Sequence, residues 1–138
     1  MLDAISATEP EMILHLGDYD KDCAAITMQY PQIPLRSVRG NCDYSSSCPV
    51  RDEFVIDGKR FLMTHGHQFH VKTGLSTLVW FAKTQGYDIV LFGHTHIQHY
   101  SDDQGVILIN PGTISTMKSV YAVLEISNGV LTYDFRHA

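Results

Sequence analysis

Four times in this chain an apolar run stops abruptly at a glycine-bearing polar cluster. Met12 to Leu16 stops at Gly17-Asp18, and Leu35 to Val38 at Arg39-Gly40-Asn41-Cys42-Asp43. Phe61-Leu62-Met63 stops at Thr64-His65-Gly66-His67, and Ile89-Val90-Leu91-Phe92 at Gly93-His94-Thr95-His96. Short apolar runs bounded by turn residues read as strands, and Met12 to Leu16 suits one buried on both faces. Ligand sites of α/β sheets lie beyond the carboxyl ends of strands, where such loops meet. The four ends are therefore expected to share one site, each glycine letting the backbone turn sharply so that the next side chain faces it.

The segments between these runs fill in the fold. Leu2 to Ala7 reads as helix, stopped because Glu9 precedes Pro10. Asp20 to Tyr30 carries Cys23, Ile26, Thr27 and Tyr30 at helical spacing and closes at Pro31. Phe54 to Ile56 and Phe61 to Met63 flank Asp57-Gly58, a tight-hairpin signal. Leu75, Leu78, Val79 and Ala82 form a helix stripe that Gly86 is placed to end. Strands are expected near His99, at Val106 to Ile109, and at Val120 to Ile126 paired with Val130 to Phe135 across Asn128-Gly129. A β-α-β first half and a hairpin-rich second half predict an α/β sandwich with mixed sheets. With 138 residues, it should be one domain.

Composition narrows the partners. Fifteen acidic residues against ten Lys plus Arg leave a net charge of −5, with no basic field to gather a nucleic-acid backbone or an acidic membrane. No window approaches the length of a spanning helix. Cys23, Cys42 and Cys48 are odd in number and lack C-x-x-C spacing, which argues against a disulfide framework and predicts a cytoplasmic protein. An anionic substrate would then need positive charge from elsewhere, and the eight histidines point to a metal. A carboxylate, an amide oxygen and several imidazoles suit Mn, Zn, Fe or Ni, one or two ions, better than Mg alone.

Singly, these clusters are weak signals. A Gly-Asp pair or Gly40-Asn41-Cys42-Asp43 is by default a turn, and a lone histidine is commonly structural. Their order is more informative. GD, GN-x-D, HG and GHTH together, with THGH and Asn110-Pro111-Gly112-Thr113, resemble the calcineurin-like metallophosphoesterase superfamily, in particular its small bacterial and archaeal phosphodiesterase branch. The likeness runs from Met12 to Phe135.

The resemblance implies a two-sheet α/β sandwich and a metal-dependent hydrolase of small phosphoesters. It makes Asp18 the carboxylate that bridges two metals, Asn41, His65 and His94 ligands of one metal, and His96 a ligand of the other. A hydroxide between ions about 3.5–4 Å apart would attack phosphorus in line, with Asp18, Asn41 and His94 as the catalytic set. Asp43 and His67 would orient the ligands or touch phosphate, and Cys42 would face substrate. His15, His70, His99 and His137 fall outside these motifs and read as structural or solvated.

Two departures stand out. Cys42 occupies a position where many relatives carry a histidine; a thiol with a pKa of about 8.5 is a poor acid, which favours phosphodiesters with good leaving groups. The bland reading is that Cys42 packs as a small buried hydrophobe. Secondly, the family's opening strand ends in D-x-H, and no such motif precedes Gly17. The chain is therefore read as truncated at the N-terminus by one strand and part of a helix, retaining fewer than two tight metal sites and an exposed sheet edge through which copies could associate. The competing reading is a non-catalytic interaction module, as in the metallophosphoesterase-like subunit of retromer.

Overall fold

The computed structural model describes residues 1–19, 21–115, 117 and 119–138. Among these residues, helices α1 (Leu2–Thr8), α2 (Lys21–Gln29) and α3 (Ser76–Gln85) are interspersed with nine strands. These are β1 (Ile13–His15), β2 (Leu35–Ser37), β3 (Arg51–Ile56), β4 (Lys59–Thr64) and β5 (Ile89–Phe92), followed by β6 (His99–Asp103), β7 (Val106–Asn110), β8 (Val120–Ser127) and β9 (Val130–His137).

A five-stranded sheet in the order β3-β4-β5-β7-β6 forms the centre, with β4, β5 and β7 parallel and antiparallel strands at both edges. Its central strands obey the two-residue period of an extended chain. Leu62, Val90, Phe92, Val106 and Leu108 face α3 through Leu78, Val79 and Ala82. Phe61, Met63, Ile89, Leu91 and Ile109 face the other way, toward Leu14, Leu16 and Val38 and toward Leu124, Ile126, Leu131 and Phe135. The layer on that second face is made of two strand pairs, parallel β1-β2 and antiparallel β8-β9. The expected mixed-sheet sandwich is thus present.

Helix α3 begins one residue later than its apolar stripe, with Leu75 at the cap, and ends where Gly86 takes a left-handed φ of 78° and its N–H reaches the carbonyls of Ala82 and Lys83. The α1 helix ends as Glu9 turns left-handed ahead of Pro10. The expected start of α2 at Asp20 lies outside the described residues; from Lys21 the helix is present.

One strand is read incorrectly from the sequence. Met12 to Leu16 was expected to be buried on both faces, yet β1 spans only Ile13–His15 and all three residues are half-buried. Its sole strand partner among the described residues is β2, so only the side carrying Leu14 and Leu16 meets the core.

Candidate metal centre

Parallel pairing carries the ends of β1 and β2, and of β4 and β5, in the same directions, and the backbone continues this beyond the strands. Val38 N–H donates to the His15 carbonyl (3.1 Å) and Gly93 N–H to the His65 carbonyl (3.0 Å). Four loops arrive side by side.

They approach closely because glycine lines the seam. A Cβ on Gly17, whose φ is +96°, would sit 2.8 Å from both Gly40 N and His65 Nδ1, and one on Gly40 would collide with the Asp18 carboxylate. Asp18 (φ 61°), His94 (φ 68°) and His96 (φ 59°) hold left-handed backbones without being glycine, a conformation that must be secured by the surroundings. Asp43, 6% exposed, does this for the first loop pair: its Oδ2 accepts N–H bonds from Asp18 and Gly40, both 2.8 Å. Asn110, fully buried, does it for the GHTH loop. Its Nδ2 donates to the Gly93 carbonyl and Thr95 Oγ1, both 3.0 Å, while its Oδ1 accepts the Gly112 N–H at 2.9 Å.

His65 is the hub. It is 2% exposed, and its Nδ1–H donates to the Leu16 carbonyl at 2.7 Å, so the neutral ring presents a lone pair at Nε2. That nitrogen faces Asn41 Oδ1 at 2.9 Å, His94 Nδ1 at 3.1 Å and Asp18 Oδ2 at 3.4 Å. Burial, above all, depresses the His65 pKa, so the ring resists taking up a second proton at Nε2. Burial, then the neighbouring His65 and Lys72, pull His94 down to about 4. One N–H on His94 could answer Nε2, but Asn41 Oδ1 is left with no donor here among the described residues, and the Asp18 carboxylate is met by the Cys42 N–H and thiol rather than by His65. Nitrogen and oxygen lone pairs facing a common point call for a cation. Separations of 2.9–3.4 Å are close to the about 3.0–3.4 Å between neighbouring ligands of an ion with bonds near 2.1 Å. A buried, partnerless His67 Nδ1 lies beside this cluster, its ring centroid 5.4 Å from that of His65.

The donor set therefore fits a divalent transition metal, although the donors touch rather than stand apart. Among the described residues no group of three or more His, Cys, Asp or Glu is arranged to hold a metal ion; one of the converging donors is an amide.

Asp18, Asn41, His65 and His94 are thus brought together as anticipated, with Asp43 and His67 adjoining them. His96 is exposed and has no contact with the cluster among the described residues. Cys42 is not a buried hydrophobe: its side chain is exposed because its loop turns outward where Cys42 N–H donates to Asp18 Oδ1 at 2.9 Å. The Asp18 carboxylate, first, and partial desolvation raise the thiol pKa. The Leu16 carbonyl and Lys72 have roles that the motifs did not indicate, while Asn110 was marked by its Asn110-Pro111-Gly112-Thr113 motif without a role.

The chain is 30% identical over 134 residues to a probable metallophosphoesterase, YsnB, of Bacillus subtilis, covering 92% of this chain and 75% of that one. It is 38% identical over 117 residues to phosphodiesterase MJ0936 of Methanocaldococcus jannaschii, covering 74% and 66% respectively. A crystal structure from Streptococcus pneumoniae, a predicted phosphoesterase, shares the fold with a TM-score of 0.82 at 23% identity, over 98% of this chain and 79% of that one. Residues 1–129 match the calcineurin-like phosphoesterase superfamily domain, and the chain belongs to that family.

Proposed function

We infer that this chain is a divalent-metal-dependent phosphodiesterase. The observation that carries the reading is the meeting of Asn41 Oδ1, Asp18 Oδ2 and His94 Nδ1 at His65 Nε2. These four side chains would hold the ion, and the Leu16 carbonyl keeps the His65 lone pair aimed at it. His96, exposed and apart, is assigned to a second and weaker ion, so fewer than two metals are held tightly per chain. When bound, the metal supplies Lewis acidity toward phosphoryl oxygens and an activated water.

The chain's own groups set the substrate class. Cys42 is the thiol at the site, and a pKa raised by Asp18 makes it a poor proton donor to a departing alkoxide. Esters whose leaving group needs no proton are therefore favoured, and the relative named a phosphodiesterase supports diesters over alkyl monoesters. The absence of a Lys-rich field keeps nucleic-acid polymers out of the reading.

The test is hydrolysis of bis(4-nitrophenyl) phosphate with Mn²⁺ or Ni²⁺, beside elemental analysis of the purified protein. Turnover that His94→Ala and Asp18→Ala abolish supports the proposal. Equal rates in wild type and His94→Ala would mark the activity as contamination. Failure to bind either metal, with no turnover, would favour the interaction module instead.

A further inference from the structure

An open cleft of about 450 Å³ lies beside two of the loops that carry the metal centre, with Thr95 of the GHTH loop in its lining, within the size range of small-ligand sites. Two of the site loops build it. Val71, whose side chain closes over Gly66 between His65 and His67, forms one wall. Thr95, between His94 and His96 and held by Asn110, forms another. Leu75, Phe92 and Ile97 give the cleft a mostly apolar lining, and the His99 ring meets Phe92 edge-on with centroids 5.9 Å apart. Burial holds His99 below its ordinary pKa, so at neutral pH it offers an uncharged ring face. Among the described residues the cation of the lining is Lys72, exposed at the rim and close enough to the centre for its charge to be felt by both His94 and Cys42.

We propose that this cleft is the subsite for the retained arm of the phosphodiester, a planar aromatic group, with Lys72 at the rim pairing with the adjoining phosphoryl oxygen. The assignment rests on the phosphodiesterase reading and deepens it. Three features select this occupant. Apolar walls beside an uncharged imidazole suit a ring better than a charged or sugar-like group. Thr95 of the lining stands between His94 and His96, so an arm lying in the cleft can stay tied to a phosphorus on the metal side. An arm packed against Leu75 and the exposed Ile97 leaves slowly, which suits the retained group better than the departing one.

The experiment separates binding from turnover. Phenylphosphonate and methylphosphonate, which are not hydrolysed, are titrated into Mn²⁺-free and Zn²⁺-loaded protein while the methyl resonances of Val71, Leu75 and Ile97 are followed. The phenyl compound should bind about tenfold more tightly, as burial of one ring face predicts, and shift those methyls. Ile97→Asp, at a position 68% exposed and so safe for folding, should bring the two affinities together, and Lys72→Met should weaken both alike. Hydrolysis of 4-nitrophenyl phenylphosphonate and 4-nitrophenyl methylphosphonate, which share a leaving group, should show the same preference in KM. Equal affinities, or shifts confined to residues away from the cleft, overturn the subsite. Preferential binding with no hydrolysis of either ester would sink the phosphodiesterase reading and leave the subsite standing. Hydrolysis without preference would do the reverse.

Discussion

Replacing Asn110 with alanine tests whether the GHTH loop is held from behind. The amide makes three hydrogen bonds, to the Gly93 carbonyl, to Thr95 Oγ1 and from the Gly112 N–H, in a site with no exposure at all. Each contributes about 1 kcal/mol net, and truncation leaves buried partners without a replacement, so the loss is about 3 kcal/mol. At about 2.1 cal/mol/K of unfolding entropy per residue, a chain this long should lose about 10 °C in Tm. Asn110→Asp should be worse near neutral pH. Its carboxylate can still accept from Gly112 but points an oxygen at the Gly93 carbonyl, and burial raises its pKa. The folded state then binds the proton more tightly than the unfolded one, so the deficit grows as pH rises above about 4 and shrinks on acidification. Melting followed by circular dichroism, with calorimetric Zn²⁺ titration at neutral pH, reads both effects, because His94 is the residue after Gly93 and should bind metal less tightly once the loop is released. Variants that melt within about 2 °C of wild type and bind Zn²⁺ equally well would show the reasoning to be wrong.

Further outcomes follow from the same geometry. Gly17→Ala places a methyl 2.8 Å from Gly40 N and His65 Nδ1 on a left-handed backbone and should cost about 2 kcal/mol or more, with loss of metal binding. Gly58→Ala, also left-handed but with open space around it, should cost about 1 kcal/mol; equal denaturant midpoints for the two would contradict the close approach. Metal-free protein should lose stability as pH falls from 6.5 toward 4, because burial holds His65 and His94 neutral in the folded state, with His94 at about 4, while the unfolded chain takes up protons near 6.5. Urea midpoints across that window should fall less steeply in His94→Gln, and an unchanged slope would refute the assignment. Asp18→Asn should quicken alkylation of the exposed Cys42 several-fold by removing the charge that raises its pKa; site-resolved mass spectrometry at fixed pH checks this, and an unaltered rate would exclude the coupling.

How much of this was legible beforehand depends on where the information lies. The runs Phe61 to Met63, Ile89 to Phe92 and Val106 to Ile109 read correctly as strands because both faces of each are buried, one against α3 and the other against the second layer. Met12 to Leu16 carries the same apolar pattern but became a half-buried three-residue strand, since apolarity reports affinity for a core and not how many neighbours will cover a strand. The convergence of Asp18, Asn41, His65 and His94 was readable from glycines at strand ends. What fixes them was harder to see. The Leu16 carbonyl that sets the His65 tautomer carries no mark in a sequence, since every residue has a carbonyl.

Asn110 and Asp43 were legible as residues and not as devices, and the reason is physical. Asp18 and His94 stand in left-handed conformations that side chains with a Cβ disfavour, and nothing about Asp or His announces that cost. The conformation persists because bonds from elsewhere hold it: Asp43 grips the Asp18 N–H, and Asn110 grips the carbonyl just ahead of His94. Both holders are buried polar side chains, 6% and 0% exposed, whose own hydrogen-bonding needs are met by the loops they restrain. Strain at the donors and burial of the holders are thus two sides of one arrangement. A buried Asn or Asp at a strand end, next to a glycine-rich loop, is accordingly the place to look for what aims a metal ligand, and releasing Asn110 should let His94 relax from φ 68° before any other ligand moves.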